Sequence, residues 1–231
     1  MRFHPRSLIV VALVGWVLGD SLPCRAGILA DYSFDTGVAS SDDNANSFAH
    51  NFGLHFGATR SSHGGNIYVA TIATGDTEAL ALADNAPYCT FTVDANEGMM
   101  LNLSSLDFDF GYYRATGYGT IENWVYVQSS VDGLGTSGTV IDSFLTSDSI
   151  APYTPLDPFT ISLVDAKFQG LSSITFRFSF SDDRSELAQF VSDRLDNVVL
   201  NGMAVPEPSS LLLACLGLTG LAFRRRRRKR T

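Results

Sequence analysis

The chain has 231 residues, 45% of them hydrophobic and 17% charged, and its formal net charge is −8. This is enough for one domain with a substantial core once the two ends are set aside. The segment between Gly27 and Phe223 holds six Lys and Arg against 23 Asp and Glu, a formal charge of −17 that would repel phosphate backbones. Nucleic-acid binding is therefore excluded as an expected function.

The first 26 residues have the order of a secretory signal peptide. Arg2 and Arg6 precede an apolar stretch from Leu8 to Leu18, and Cys24-Arg25-Ala26 supplies a small-x-small cleavage site. The sequence therefore predicts export through the Sec translocon, with cleavage after Ala26.

From Gly27 onward, short runs with period two alternate with Gly, Asp, Asn and Ser. The runs predict strands at Ile28–Phe34, Asn51–Gly57, Asn66–Thr71, Glu78–Leu82, Tyr88–Val93, Leu103–Tyr113, Asn123–Gln128, Thr139–Phe144, Phe159–Leu163, Ser173–Phe180 and Leu195–Leu200. Glu78–Leu82 is also compatible with a helix, and Val164–Gln169 with one helical turn. Strands that recur about every ten residues favour an all-β fold, an antiparallel two-sheet β-sandwich of jelly-roll type.

Two of these strands have a clear division between their faces. In the first, Leu106, Phe108, Phe110 and Tyr112 share one face and Asp107, Asp109 and Tyr113 the other; in the second, Ile174, Phe176, Phe178 and Phe180 face away from Thr175, Arg177 and Ser179. We expect each strand to have one buried face and one solvent-facing face.

Cysteine and histidine offer little chemistry in this domain. Cys89 is the single cysteine between the two ends, and its alternation with Phe91 and Val93 predicts a buried thiol. If their segment is a strand, His50 and His55 fall on opposite faces, and no further His or Cys completes a zinc or copper set.

Aromatic and acidic residues define two alternative sites near one Gly-rich loop. Tyr113, Tyr118 and Trp124 surround Gly111–Thr120, and rings beside carboxylates can bind sugars by stacking and hydrogen bonding. Asp107 and Asp109, at i and i+2 on one strand face, are spaced as a sandwich glycosidase would require. No glutamate follows them to act as the acid/base partner, so binding is favoured over catalysis.

The C-terminal tail combines three features. Val205-Pro206-Glu207-Pro208 has an extended backbone that cannot continue a helix. Residues 209–223 carry no charge and are fewer than the ~20 residues that a helix needs to span a membrane comfortably. Residues 224–230 are seven consecutive cations. Cations are retained on the cytoplasmic side, which places everything before Val205 outside.

These residues resemble the PEP-CTERM sorting signal. The resemblance implies a Gram-negative-type bacterium in which an exosortase recognises Pro206, Glu207 and Pro208, removes the short transmembrane helix and delivers the protein to the cell surface or extracellular matrix. It also implies an inner-membrane-anchored precursor.

The segment from Arg194 to Gly202 is similar to the last strand of PEP-CTERM cargo and of jelly-roll carbohydrate-binding modules. In those modules an aspartate at this position helps to hold a structural calcium ion against the first strand. The similarity implies that Asp196 lies near Asp31–Asp35, as a calcium ligand or as an ordinary edge carboxylate. No other cofactor is expected.

The sequence therefore predicts a signal peptide (1–26), an exported β-sandwich (27–204) and a sorting signal (205–231). The expected function is structural or adhesive and non-catalytic, with exopolysaccharide as a candidate partner. A jelly-roll carbohydrate-binding module is the alternative, and a sandwich glycosidase is disfavoured.

Overall fold

The computed structural model describes residues 27–42, 44–60, 67–70, 78–114, 122–146, 156–182 and 191–207. Ala26, Tyr118 and Pro208 lie outside the described residues, as does the predicted membrane segment 209–223. Within the described part of the chain, no helix is long and apolar enough to span a membrane.

Thirteen strands and one short helix make up the described structure. The strands are β1 (Gly27–Tyr32), β2 (Ser47–Ala49), β3 (Gly53–His55), β4 (Ala58–Arg60), β5 (Ile67–Ala70), β6 (Tyr88–Ala95), β7 (Met99–Arg114), β8 (Asn123–Ser129), β9 (Val140–Thr146), β10 (Asp157–Ser162), β11 (Gln169–Leu171), β12 (Ser173–Asp182) and β13 (Val191–Pro206). The helix α1 covers Glu78–Ala81, and 3-10 turns occur at Gly135–Ser137 and Ala166–Phe168.

The strands form two antiparallel sheets. Sheet 1 has the order β10-β7-β13-β5-β4, with β1 also on β13 and β11 on β7; sheet 2 has the order β2-β6-β12-β8-β9, with β3 also on β6. The chain repeatedly passes from one sheet to the other, as between β6 and β7 and between β12 and β13. The antiparallel two-sheet sandwich predicted from the sequence is confirmed.

Aromatic rings between the sheets form the core. Phe108 of sheet 1 contacts Phe178 of sheet 2 with ring centroids 5.2 Å apart, and Tyr32 contacts Phe91 at 5.4 Å. Each buried phenyl ring contributes roughly 1.5–3 kcal/mol by removal from water. The alternation of apolar residues on β7 and β12 therefore fixes which face of each strand points inward.

Several local expectations differ from the structure. The three-residue strands β2, β4 and β11 were not predicted, because three residues are too few to show a period of two. The segment beginning at Glu78 forms α1, which was the alternative to a strand there. On β12, the face expected to be solvent-exposed is covered, and Arg177 is only 4% exposed.

The structure also differs from the expectation that His50 and His55 lie on opposite faces, which held only if their segment were one strand. Between β2 and β3 the chain leaves the sheet, so the period-two count across this segment fails. Nε2 of His50 lies 2.7 Å from a carboxylate oxygen of Asp94, and Nε2 of His55 lies 3.1 Å from the hydroxyl of Thr90. Asp94 and Thr90 share one face of β6, so both histidines lie on the outer face of sheet 2.

Candidate functional site

The predicted processing motif begins where the last strand ends. β13 pairs with β7 as far as Pro206, which lies opposite Met99, and the amide of Glu207 donates a 2.9 Å hydrogen bond to the carbonyl oxygen of Gly98. Pro206 is exposed and Glu207 is half-buried. The first two residues of the motif are therefore joined to the sandwich without an intervening linker, and Pro208 lies outside the described residues.

The predicted aromatic site is divided between the two sheets. Trp124 lies on β8 in sheet 2, where its ring stacks on Tyr126 at 6.4 Å. It packs against a small apolar cluster of Ala81, Leu82 and Tyr126. Tyr113 lies on β7 in sheet 1. The side chain of Tyr113 and the whole of Tyr118 lie outside the described part of the chain. A sugar site formed by these three residues remains a prediction.

The two aspartates considered for catalysis are held by asparagines of β13. The side-chain amide of Asn201 donates to Asp107, which also accepts a 3.2 Å bond from the hydroxyl of Ser105. The side-chain amide of Asn197 donates to Asp109 at 2.7 Å. These bonds use one carboxylate oxygen, Oδ2, of each aspartate.

Asp196 lies in an acidic neighbourhood at a bulge of β13. The register of β13 on β7 shifts between Asp196 and Val199, and Asn197 adopts a positive φ of 47°. Burial raises the pKa of Asp196 to about 6, and the negative charges of Asp109 and Asp35 also raise it. The hydrogen bond from the backbone amide of Asn197 lowers the pKa and partly opposes these effects. Asp196 therefore lies near the first-strand segment, as expected, while a calcium ion there remains a prediction.

The described residues contain no group of three or more histidine, cysteine, aspartate or glutamate side chains arranged to hold a metal ion. The loop at Asp42 and Asn44, which has the spacing of calcium ligands, instead uses side-chain oxygens on its own backbone. Asp42 accepts from the amide of Asn44, and Asn44 accepts from the amide of Asn46. These are Asx turns.

Sequence reasoning missed an aromatic cluster at one end of the outer face of sheet 2. The Tyr88 ring stacks on His55 with centroids 4.4 Å apart, and Phe56 lies 5.9 Å away and is 55% exposed. Burial lowers the pKa of His55, as does the nearby charge of Arg177, and both favour the neutral imidazole. The sequence signal was Phe56-Gly57, a turn dipeptide with an aromatic where Asn is usual.

A second exposed ring lies at the other end of this face. Phe48, opposite Asp94 on β6, is 57% exposed, and its ring is perpendicular to that of His50 at 4.8 Å. Between Asp94 and Tyr88 the face presents the hydroxyls of Thr90 and Thr92. Six residues of strand separate the two ends, about 20 Å.

Arg177 fixes the elements that cover the rest of this face. Its guanidinium lies 3.9 Å from the centroid of the Tyr88 ring, and it donates hydrogen bonds to the carbonyl oxygens of Leu82 and Ala83 just after α1. Its Nε donates to the hydroxyl of Ser179 at 2.9 Å. Arg177 therefore has a structural role and does not form part of an open site.

Comparison with known families identifies the C-terminal segment. Residues 204–228 match the family described as the PEP-CTERM protein-sorting motif. The chain carries a PEP-CTERM sorting motif. Its presence implies an exported protein, made as a membrane-anchored precursor and processed by an exosortase.

The sandwich has weak structural similarity to several solved proteins. They include the K1 cleaved adhesin domain of Lys-gingipain from Porphyromonas gingivalis W83 (16% identity, 74% of this chain and 95% of that chain, TM-score 0.35). A non-crystalline-cellulose-specific module, CBM28, is 13% identical over 64% of this chain and 79% of that chain, with a TM-score of 0.37. The CBM22-1 xylan-binding domain of Paenibacillus barcinonensis Xyn10C is 14% identical over 77% and 96%, with a TM-score of 0.35.

Comparison with curated proteins gives no match to this chain.

Proposed function

We propose that this protein is processed by an exosortase at Pro206-Glu207-Pro208 and retained at the cell surface or in the exopolysaccharide matrix, where its sandwich has a structural or adhesive role. The observation that supports the proposal most directly is the sorting motif at residues 204–228. The proposal assigns no reaction to the sandwich. Export through the Sec translocon, with cleavage after Ala26, belongs to the same proposal.

The junction of the motif with the sandwich supports this role. Because β13 remains paired to Pro206 and the Glu207 amide bonds to Gly98, the folded domain stands directly at the processing point. Because no linker separates the sandwich from the motif, a processed domain would be held close to the cell surface or matrix to which it is attached. Its strongly acidic charge keeps it soluble and disfavours self-association without a cation.

The experiment is to replace Pro206 and Glu207 together with Ala in the native host. We expect the intact precursor to accumulate in the inner membrane, as shown by fractionation and intact-protein mass spectrometry. The matched control replaces the exposed acid-proline pair Asp157-Pro158 with Ala-Ala, which should leave sorting unchanged. Normal release and an unchanged processed mass in the motif variant would contradict the proposal.

We propose glycan binding as a second candidate, in which the adhesive role is exerted on polysaccharide. The supporting observation is the pair of exposed rings, Phe48 and Phe56, at the two ends of one polar strand face. Aromatic rings stack on the C–H faces of sugars, while hydroxyl and imidazole groups hydrogen-bond to sugar hydroxyls. His55 precedes Phe56 in the chain, and its Nε2 lies 3.1 Å from the hydroxyl of Thr90.

The backbone at Phe56 permits a sharp test of this candidate. Phe56 has φ 50° and Gly57 has φ 98°, the positive pair typical of a type I′ turn, where Asn is better accommodated than Phe. Phe56→Asn therefore removes the ring while favouring the fold. Phe48→Thr keeps a strand-forming residue at the second ring.

Binding of the purified protein is measured on a glycan array. If sheet 2 carries the site, Phe56→Asn and Phe48→Thr each reduce specific binding at least tenfold, while Val164→Thr, at a residue 69% exposed elsewhere, does not. Tyr113→Ala and Tyr118→Ala test the site predicted from the sequence. An array without specific hits for the unmodified protein would remove this candidate.

A further inference from the structure

The last residues of β13 are held by backbone pairing and not by burial. Ala204, which lies opposite Leu101 of β7, is the last buried side chain of the strand. The three residues that follow it, Val205–Glu207, are exposed or half-buried. They pair with Gly98–Met100, and we call this pairing the terminal ladder.

The terminal ladder accommodates a proline at a position that costs no hydrogen bond. The amide of Glu207 donates to the carbonyl oxygen of Gly98 at 2.9 Å. Hydrogen-bonded and non-hydrogen-bonded pairs alternate along an antiparallel ladder, so the next hydrogen-bonded pair is Val205 with Met100. Pro206 lies between the two pairs, and its nitrogen, which carries no hydrogen, therefore faces away from β7. The pairing remains intact as far as Glu207.

This pairing closes one side of the processing motif. Neighbouring strands of a sheet are about 4.7–4.9 Å apart, so β7 occupies the space along one edge of Pro206 and Glu207. An enzyme that binds an extended peptide in a cleft has to surround it on more than one side. While the terminal ladder is closed, such a cleft cannot enclose these two residues.

The chain on either side of the motif leaves little freedom to move it into a cleft. β13 is paired up to Pro206, and Pro208 alone separates Glu207 from the predicted membrane segment 209–223. The two prolines also restrict the backbone between them to extended conformations. Separation from β7 is therefore the movement that can expose the motif to an enzyme.

Opening the terminal ladder is a small local movement. It breaks the hydrogen bonds of the Val205–Met100 pair and the bond from Glu207 to Gly98, and it moves no fully buried side chain. Strand ends open at a free energy far below that of global unfolding. The opening stops at Ala204, because its side chain is part of the core.

We propose that the terminal ladder controls processing, because the exosortase binds the motif only after Val205–Glu207 have separated from Gly98–Met100. This inference rests on the proposed function, since it takes the exosortase as the enzyme that recognises the motif. The folded sandwich is then processed at a rate that depends on how often its last strand opens. Met100 acts on processing through its pairing with Val205, and the enzyme does not need to contact it.

A disulfide across the terminal ladder tests the proposal in the full chain in its native host. Val205 and Met100 are directly opposite, and the Cα atoms of such a hydrogen-bonded pair lie about 5.5 Å apart, which suits a disulfide. Met100→Cys with Val205→Cys should slow conversion of the precursor about tenfold or more in a pulse–chase experiment, because the cross-linked ladder cannot open. Dithiothreitol should restore the rate in the same variant. Equal rates in the oxidised and reduced forms would overturn the proposal.

The matched control is a disulfide in the other sheet. Thr92 and Thr175 are directly opposite, and their hydroxyl oxygens lie 2.7 Å apart. Thr92→Cys with Thr175→Cys should form a cross-link and leave the rate of processing unchanged. Alkylation and non-reducing mass spectrometry verify both cross-links. If the control slows processing as much as the ladder disulfide does, the effect comes from general rigidity or from oxidation, and the proposal fails.

A second variant opens the terminal ladder instead of closing it. Met100→Pro removes the N–H that pairs with Val205 and should speed processing about two- to tenfold, the rise in open fraction expected from the loss of one hydrogen bond. Arg177→Met is its control, because it removes hydrogen bonds in sheet 2 and leaves the ladder intact. An unchanged rate in Met100→Pro, or an equal increase in Arg177→Met, would contradict the proposal. The two tests are independent, so either decides the matter if the other variant does not fold or does not form its disulfide.

The motif variant distinguishes failure of this proposal from failure of the proposed function. With Pro206→Ala and Glu207→Ala together, the precursor should accumulate whether the ladder is open or closed. If processing continues in that variant, the exosortase assignment fails and the ladder proposal fails with it. If processing stops there but the ladder disulfide has no effect, the assignment stands and the ladder proposal alone fails.

Discussion

Arg177 holds the segment that follows α1 against the outer face of sheet 2. Its side chain is buried, and its donors reach the carbonyl oxygens that end α1 as well as the hydroxyl of Ser179. Its ion pair with Asp84 contributes little, since Asp84 is 87% exposed and the two groups are 3.8 Å apart. The stabilisation therefore comes from the buried hydrogen bonds and from the contact with the Tyr88 ring.

We predict that Arg177→Met lowers the free energy of unfolding by about 2–4 kcal/mol, because buried carbonyl oxygens lose charged donors. Chemical denaturation monitored by circular dichroism measures this change. The control is Lys167→Met, which removes an exposed pair with Asp132 and should cost about 0–1 kcal/mol. Equal effects of the two substitutions would show that the Arg177 bonds are not formed in solution.

Whereas Arg177 stabilises the folded protein, the ionised carboxylate of Asp196 destabilises it at neutral pH. Because its folded pKa is raised to about 6, the folded state holds the proton more tightly than the unfolded state does. The associated stability is fully present below the unfolded pKa of about 4 and is lost as the pH rises through about 6.

We predict that Asp196→Asn, without calcium, stabilises the protein at pH 7 by about 1–2 kcal/mol, after discounting for partial exposure of the carboxyl. The variant should also lack the fall in stability between pH 4 and pH 6. Denaturation curves across this range in EGTA provide the measurement. Calcium at Asp196 would reverse the order, making wild type the more stable protein in calcium.

At the scale of the strands, the longest pairing in the molecule depends on one glycine. Gly202 of β13 lies at a register shift against β7, and a Cβ there would be 2.5 Å from the carbonyl oxygen of Asn102 and 2.8 Å from Leu29. Its cross-strand partner on β1 is Gly27, where a Cβ would meet nothing within 4 Å. A side chain at Gly202 would therefore clash with its neighbours, whereas one at Gly27 would have free space.

We predict that Gly202→Ala lowers the free energy of unfolding by about 1–3 kcal/mol, because backbone atoms must move to admit the methyl group. Gly27→Ala should change it by less than about 0.5 kcal/mol. Both are measured by thermal and chemical unfolding. A Gly202→Ala protein as stable as wild type would mean that β13 and β7 are paired differently at this point.

The strands also show what the sequence could and could not predict. The period-two patterns of β7 and β12 predicted two sheets and their inward faces, because burial selects apolar residues at every second position. The sequence could not show that the outer face of β12 is covered. The cover consists of α1 and the loop at Gly135, and it is held by contacts between residues far apart in the chain, such as Arg177 with Leu82. The exposed rings of Phe48 and Phe56 likewise required the register between strands.

For the whole molecule, the sandwich depends on its core and not on covalent cross-links. Its one cysteine in the described residues, Cys89, is a free thiol that is fully buried. Burial raises the pKa of this thiol, so almost none of it is thiolate at pH 7. An exported protein of this kind has to resist unfolding in an oxidising compartment through the packing of its rings.

This leads to a prediction about reactivity in the native protein. Cys89 packs on the inner face of β6 with Phe91 and Val93, so that a reagent reaches its Sγ only when the two sheets separate. We expect iodoacetamide to label Cys89 in the native protein at a rate set by global unfolding, and at once in denaturant. Reducing agent should leave the unfolding midpoint unchanged. Rapid labelling under native conditions, detected by peptide mass spectrometry, would show instead that β6 detaches locally while the rest of the sandwich stays folded.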